Sequence, residues 1–484
     1  MTDKALHLEI ATEASVGRLD ELLDFIYSRY VASRPGRFIN VFKTKMGGVP
    51  FLSFTLLDEA GYPALTVEIR GTQPLDIAIT ASDERTPQAL LERVREDMVI
   101  GVQVFEEQLR RTSIYFAWAS GKELRLEKLH ERSSNRLFLE TQVFLSLLLL
   151  LGSLMLFWAL SGTGLFWLTP IVLIAIQFII VLYSSKIVAR TGDWYLTGEN
   201  PRIDLLQIQL SPEEAARFRQ RFQEGTIIEM KKEIYASTIA LGRRIDCDSA
   251  GQVLHRYGLE CRPEDVSAKS MDVYGIVRRV AESFRMPIPT VVVANTMLPN
   301  AAASGPSPSR GVVLITTGLL LQLEEPEIES VVGHEFGHLR GRDPLVIFWL
   351  TAAEFLFRFY VLFPAAPWLF ASVLGYAYFI GVMSLIFFIG KFFEARADLV
   401  SAMVIRQPQV LAQALRKIGF RRLQMERVPS YKLQEWTGFD LHPPIYFRVD
   451  RLEKLSSLAE IKHPFLQSVR DVIKGFLAAI WRYR

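Results

Sequence analysis

Hydrophobic and polar residues are segregated along this chain on two length scales. On the longer scale, 143–160 is a run of 18 residues without a charge, and 165–183 is another of 19, with only "SGTG" between them. A third apolar run, 345–363, is interrupted by Glu354 and Arg358. The fourth, 368–390, is 23 uncharged residues that follow the "PAAP" turn. Each run is about the length needed to cross the hydrocarbon core of a bilayer. The pattern predicts four transmembrane helices in two hairpins.

The basic residues orient these hairpins. Lys122, Arg125, Lys128, Arg132 and Arg136 precede the first run, Lys186 and Arg190 follow the second, Arg340 and Arg342 precede the third, and Lys391 and Arg396 follow the fourth. Both inter-helix turns are uncharged. Positive residues favour the cytoplasmic side, so both termini and every large polar segment are expected there. Glu354 and Arg358 lie one turn apart within the third run. They read equally well as a self-neutralising i,i+4 pair and as the lining of a hydrated route.

On the shorter scale, 1–120 reads as a soluble α+β domain. An apolar-periodic helix covers roughly 15–32, through Val16, Leu19, Leu22, Leu23, Ile26 and Tyr30. The strands "FINVF", "FLSFTLL", "ALTVEIR" and "LDIAITA" follow, separated by Gly/Pro turns, as in an antiparallel meander. Next comes a helix with Thr86 as N-cap and Pro87 at its first position. A last strand, "SIYFAWA", precedes the basic run. From 186 to 290 the signals suggest mostly helix, including a capping box from Ser211 to Glu214. After Pro464 the chain repeats apolar residues at Phe465, Val469, Ile473, Phe476 and Ile480, opposite Arg470, Lys474, Arg482 and Arg484. That tail suits an interfacial membrane helix or a helix packed on the neighbouring domain.

Composition adds little. With 55 Lys+Arg against 52 Asp+Glu, nothing suggests a nucleic-acid partner. The two cysteines, Cys247 and Cys261, are too few for a disulfide framework and read as ordinary thiols in a reducing compartment. The charged N-terminus lacks the apolar core of a signal peptide.

The chemistry concentrates in "VVGHEFGHLR". His334 and His338 are four residues apart on a helix, so both rings can grip one ion, and Glu335 is placed to take a proton from water beside it. Gly333 and Gly337 are expected to leave the helix face uncrowded for metal and substrate. A third ligand is available in "GKFFEARADLVSA", where the fourth span emerges. There Glu394 would bind the metal, and Asp398, again four residues on, would hold a ligating histidine.

These motifs resemble the integral-membrane zinc metallopeptidase family that includes HtpX-type heat-shock proteases and Ste-type CAAX prenyl proteases, and they are closer to the HtpX type. The resemblance runs over roughly 270–455, through "PNAAASG", "VVLITTGLLLQLEEPEIESVVGHEFGHLRGRD", "EARAD" and "LHPPIYFRVDRL" in order. It implies one Zn2+ per chain held by His334, His338 and Glu394, with Glu335 as general base. Asn300 and Ala301 would stand on the edge strand that binds the substrate backbone by strand addition. His442 would stabilise the oxyanion and Arg448 would steady the site. Residues 1–120 and 186–270 fall outside the resemblance, and the prenyl proteases have seven spans where four are expected here.

The expected fold is therefore a mainly α integral membrane protein with four transmembrane helices in two hairpins. A cytoplasmic zincin-like α+β metalloprotease domain and an N-terminal soluble α+β domain complete it. Its segments are the N-terminal domain (1–120), a basic linker and first hairpin (121–190), and a helical segment leading into the metallopeptidase domain (191–344). The second hairpin (345–390), the rest of that domain (391–463) and an amphipathic basic C-terminal helix (464–484) follow. The expected activity is peptide-bond hydrolysis in protein substrates at the cytoplasmic face of the cell membrane, serving membrane-protein quality control. A dedicated processing protease gated by the N-terminal domain and an inactive membrane scaffold are the alternatives.

Overall fold

The computed structural model describes residues 5–83, 86–119, 163–222, 224–455 and 461–483, with Met155, Trp158 and Ala159. The first expected span lies outside the described residues apart from those three. The chain is mostly helical and divides into two compact units. One combines Met1–Leu124 with Ile203–Met271, and the other combines Arg125–Arg202 with Asp272–Arg484.

The first unit begins with β1 (Ala5–Ile10), α1 (Leu19–Ile26), β2 (Phe38–Met46), β3 (Val49–Leu57), β4 (Pro63–Arg70) and β5 (Leu75–Ala81). The sheet order β1-β5-β4-β3-β2 contains the expected antiparallel meander, to which β1 adds at the free edge of β5. Register places Leu52 opposite Ile69, Phe54 opposite Val67 and Val67 opposite Ile79, so one face is continuously apolar. That face is closed by Leu19, Leu22, Leu23 and Ile26 of α1 and by the apolar stripe of α2 (Gln88–Thr112). Pro87 is the N-cap of α2, one position later than Thr86, which instead hydrogen-bonds the Ala64 carbonyl at 3.2 Å.

The strand β6 (Ser113–Ala119) follows α2 directly. Further on, β7 (Trp194–Leu196) belongs to the second unit. The chain then returns to the first unit with β8 (Arg202–Gln209), α4 (Pro212–Arg221), α5 (Glu224–Ser237), α6 (Cys247–Arg256) and β9 (Val266–Asp272). Over 186–290 helices predominate, and the stretch also contributes β7 to β9, so that β6-β8-β9 form a second sheet. The strand β8 is buried on both faces. Its Gln207 amide donates to the Tyr115 hydroxyl at 3.1 Å and its Gln209 amide to the Glu13 carbonyl at 2.5 Å, so two buried polar side chains are satisfied. The capping box at the start of α4 is present in both directions, Ser211 N to Glu214 at 2.9 Å and Glu214 N to Ser211 Oγ at 3.2 Å. Cys247 and Cys261 are also not free thiols. They form a disulfide, because the turn after α6 brings residue 261 back beside the start of that helix.

Glu106, on the buried face of α2, is a charged group placed where charge is unfavourable. It accepts from Glu13 N at 3.0 Å and from the Gln103 amide at 2.7 Å, while Arg110 forms its closer pair with Glu13. Burial, then the neighbouring Glu13 charge, pushes its carboxyl from 4.5 up to about 7. The folded unit therefore holds this proton to higher pH than the unfolded chain does. The contribution of Glu106 to stability is full below pH 4.5 and is lost as pH rises towards 7. We expect Glu106→Gln to flatten this slope, read by hydrogen exchange of the α2 amides at pH 5 and 7.5 after correction for intrinsic rates.

The second unit carries a four-stranded mixed sheet, β11-β12-β10-β7, built with β10 (Thr290–Ala294), β11 (Ala301–Ser304) and β12 (Val312–Thr316). β10 and β12 are parallel, and β11 is antiparallel to β12 at the edge. Beside β11 lies α8 (Glu325–Gly341), and α7 (Val273–Phe284) packs on α8, with Phe284 against Phe336. After a left-handed Arg342, α9 (Asp343–Phe357) begins an apolar helix that continues to Ala365, and α10 (Val373–Ile405) returns. These are two candidate membrane-spanning helices of 23 and 33 residues, with only 11% of each apolar window buried. The apolar helix over the second expected span is shorter, Phe166–Leu182. Its main part is α3 (Thr169–Leu182), and its Phe178 packs on Phe348 and Trp349 of α9.

Within the second hairpin, Arg358 Nε pairs with Glu354 Oε1 at 3.0 Å, and the Tyr378 hydroxyl donates to the same carboxylate at 3.0 Å. The charged pair therefore ties α9 to α10. Beyond α10 come α11 (Pro408–Ile418), α12 (Pro429–Thr437), α13 (Ile445–Glu453) and α14 (Pro464–Tyr483).

Candidate metal centre

The centre is assembled from α8, α10 and α13. Helix α8 presents His334 and His338 on one face, one turn apart. Their Nε2 atoms are 3.1 Å apart, and Glu394 of α10 offers Oε2 at 3.4 Å from the first and Oε1 at 3.3 Å from the second. Two imidazole nitrogens facing each other at this distance need a shared partner. Ligands on a tetrahedral zinc at ~2.0–2.1 Å would themselves sit roughly 3.3 Å apart, so the donor set fits the ion. Glu394 Oε2 is buried and has no hydrogen-bond partner, which leaves it available to a cation.

Helix α10 can approach α8 this closely because of Gly333 and Gly337. A Cβ on Gly333 would meet Ser401 Oγ at 2.7 Å, and one on Gly337 would meet Ala397 Cα at 2.9 Å. This corrects the expectation that the two glycines clear space for metal and substrate. They face α10, and their missing side chains bring Glu394 to the histidines. Ser401 Oγ seals the crossing with a bond to the Ser330 carbonyl at 2.8 Å.

Each metal-facing ring is fixed from behind. His334 Nδ1 pairs with Asp398 at 2.9 Å, and Arg448 of α13 clamps Asp398 through Nε at 2.8 Å and NH2 at 2.6 Å. His338 Nδ1 pairs with Asp343 at 2.7 Å, and Arg396 donates to both Asp343 oxygens at 2.7 Å and to the Gly337 carbonyl at 3.1 Å. The carboxylates fix each tautomer so that Nε2 points into the centre. Asp343 and Arg396 were missed in the sequence. Asp343 follows the helix break in "HLRGRD", and Arg396 stands between two acids in "EARAD".

His442 approaches from the loop before α13. Its Nε2 is 3.5 Å from Glu394 Oε2, and its Nδ1 is held by Asp440 at 2.8 Å. Asp440 is held in turn by Arg422 at 2.7 Å. Lys391, fully buried at the end of the apolar run of α10, donates to the Asp440 carbonyl and to the His442 carbonyl at 3.2 Å. Asp440 and Lys391 were also missed, although an Asp two residues before a loop His is a recognisable turn signal. The His442 side chain is 48% exposed, whereas those of His334, His338 and Glu394 are at most 15% exposed. The open side of the centre is therefore the His442 side.

Glu335 lies against the edge strand, where its Oε2 accepts from Ala303 N at 2.7 Å. Thr316 N donates to the Asn300 carbonyl at 3.0 Å, so Asn300 pairs inward to β12. By alternation the backbone groups of Ala301 and Ala303 face the free edge. Asn300 and Ala301 open that strand, with Asn300 N fixed on Thr316 Oγ1 at 2.9 Å.

Glu335, Asp343, Glu394 and Asp398 surround the two imidazoles, with Arg396 and Arg448 paired to Asp343 and Asp398. Burial opposes protonation of His334, but hydrogen bonds to Asp398 and Glu394 outweigh it and raise its pKa. For His338, burial is outweighed by the Glu394 charge and the Asp343 bond, and its pKa stands well above the usual value. Burial also opposes the charge on Arg448, but Asp398 raises its pKa, and His442 holds Asp440 low against the effect of burial. The cluster attracts positive charge to its middle.

A glutamate-completed HExxH centre beside a free strand edge, on helices that continue into apolar spans, defines a membrane-associated metalloprotease. Residues 267–456 match the model of peptidase family M48. The chain is 30% identical over 235 residues to a protease HtpX homolog of Thermodesulfovibrio yellowstonii, covering 42% of this chain and 81% of that one. It is 31% identical over 222 residues to protease HtpX homolog 1 of Streptomyces coelicolor, 38% of this chain and 71% of that one. A protease HtpX homolog of Ligilactobacillus salivarius is 30% identical over 268 residues, 48% and 87% of the two chains. The chain belongs to peptidase family M48 as an HtpX-type metallopeptidase.

Proposed function

We propose that the protein is a zinc endopeptidase anchored by four transmembrane helices, with its centre and both termini on the cytoplasmic side, that hydrolyses membrane-protein substrates in quality control. The observation that carries the zinc reading is the convergence of His334 Nε2, His338 Nε2 and Glu394 within 3.1–3.4 Å, with Glu394 Oε2 unpaired. When bound, zinc supplies Lewis acidity at the scissile carbonyl and acidifies water. The protein's own groups do the rest. A peptide in extended form pairs with the free edge through the N–H and carbonyl of Ala301 and the carbonyl of Ala303, whose N–H is held by Glu335; such pairing binds backbone without reading side chains. Asn300 positions the start of that edge. Glu335, beside the same edge, takes the proton from attacking water and delivers it to the leaving amine. His442, held through Nδ1 by Asp440, donates Nε2–H in its imidazolium form to the carbonyl oxygen as charge develops there. Arg448 acts through Asp398 to hold His334.

Cleavage of casein and of a reconstituted membrane protein by the purified full chain tests this reading. Activity is expected to vanish with a zinc chelator and to return with added zinc. Equal cleavage with and without chelator would overturn it. Trapping in cells with Glu335→Gln separates quality control, which predicts many bound substrates, from a dedicated processing role, which predicts one dominant substrate.

A further inference from the structure

Helix α14 lies beyond the region that matches family M48, which ends at residue 456. One face is committed to the protein. Ser468 and Val472 are fully buried, and Phe476 and Ala479 pack with Phe388, Phe392, Trp436 and Phe447. Gly475 lets α14 press against Phe447, since a Cβ there would sit 2.7 Å from the ring. Arg451 fixes the helix through Asp471 at 2.8 Å and Ser468 at 2.9 Å.

A second apolar stripe remains outside. Leu466, Ile473, Leu477 and Trp481 are 63%, 40%, 46% and 72% exposed, and they lie at i, i+7, i+11 and i+15, along one line of the helix. Arg470 and Lys474, at i+4 and i+8, are exposed beside them. A helix with one packed face would ordinarily turn a polar surface outward.

The position of α14 identifies what covers that stripe. Phe465 stacks with Phe393 and Phe476 meets Phe388, so α14 crosses α10 where the apolar run of α10 ends. Between these contacts α14 advances eleven residues, roughly 16 Å, while α10 is followed back by five, about 8 Å, so the two helices run in opposite directions. The helices therefore cross obliquely, and α14 leans away from the span direction towards the membrane plane. Apolar side chains flanked by Lys and Arg on such a helix suit the headgroup boundary of a bilayer with anionic lipid.

We propose that α14 is an interfacial helix that clamps the metallopeptidase unit onto an anionic lipid surface through Leu466, Ile473, Leu477 and Trp481, with Arg470 and Lys474 at the headgroups. The inference depends on α10 spanning the bilayer and not on the chemistry at the metal centre, so the two readings fail separately.

The test uses the full chain in nanodiscs of phosphatidylcholine alone or mixed with phosphatidylglycerol. Leu477→Cys and Ile473→Cys are nitroxide-labelled without reductant, which leaves the Cys247–Cys261 disulfide intact. A label at Arg243→Cys, an exposed loop position, is the aqueous reference. Collision with oxygen relative to a water-soluble nickel chelate is expected to be severalfold higher at 473 and 477 than at the reference, and higher still with phosphatidylglycerol. Labels reached by the nickel chelate as readily as the reference would overturn the proposal. So would labels shielded from both reagents, which would mean that a second copy covers the stripe. Arg470→Glu with Lys474→Glu is expected to abolish the phosphatidylglycerol dependence, and persistence of that dependence would overturn the role given to the two basic residues.

Discussion

Glu335→Gln is expected to lower kcat by about 10²–10⁴-fold while leaving one metal ion bound per chain. The separation follows from the geometry. Glu335 is not among the atoms that converge on the centre, and it lies instead against the strand edge, accepting from Ala303 N at 2.7 Å. A glutamine oxygen can accept the same bond, so the local structure survives and only the proton acceptor is lost. Glu394→Ala should behave differently, because it removes a ligand and with it the metal. Metal analysis beside peptide-cleavage kinetics distinguishes the two variants. If Glu335→Gln kept most of the wild-type turnover, Glu335 would be excluded from proton transfer.

How much of this was legible in the sequence depended on how local the cause was. His334 and His338 are brought together by helical periodicity alone, and Glu394 could be inferred because two apolar helices joined by a short turn bring the chain back beside its starting point. Asp343, Arg396, Asp440 and Lys391 are different. Each acts on a residue near it in space, but which of the chain's many charged side chains does so is set by how α8, α10 and the loop before α13 pack. The first unit shows the same division. The meander from β2 to β5 follows from alternation and turn residues. The strand β8 does not, because it is buried on both faces and carries Gln207 and Gln209, so neither alternation nor a continuous apolar run marks it. The small strand β1 acquires meaning only from the open edge of β5.

The two glycines of the HExxH helix have a mechanical role that the motif alone does not display. Their spacing also matches the helix period, so both fall on one face. That face meets Ala397 and Ser401, residues on the same helix as Glu394 and Asp398. Distance between the helix axes, and not room for a ligand, is what the glycines set. Glu394 comes within 3.3–3.4 Å of both histidines because the crossing is close.

Asp398, on the same helix as Glu394, is paired with Arg448 of α13 in the interior of the unit. Arg448→Met is expected to destabilise the second unit by about 3–5 kcal/mol, because it leaves a buried carboxylate with only His334 beside it. Both partners are nearly inaccessible, at 5% and 1% exposure, so solvent cannot replace the lost guanidinium. Adding Asp398→Asn removes the unpaired charge and should restore much of that stability, measured by urea unfolding in detergent. Zinc affinity should not recover. In both variants His334 loses the clamped carboxylate that orients its ring, and removing such a partner lowers metal affinity about 10–100-fold. If the double variant regained zinc affinity along with stability, Arg448 and Asp398 would serve packing alone. If stability returned while affinity stayed low, the pair's function would be to hold His334 at its 2.9 Å contact with Asp398 and so keep its Nε2 aimed at the centre.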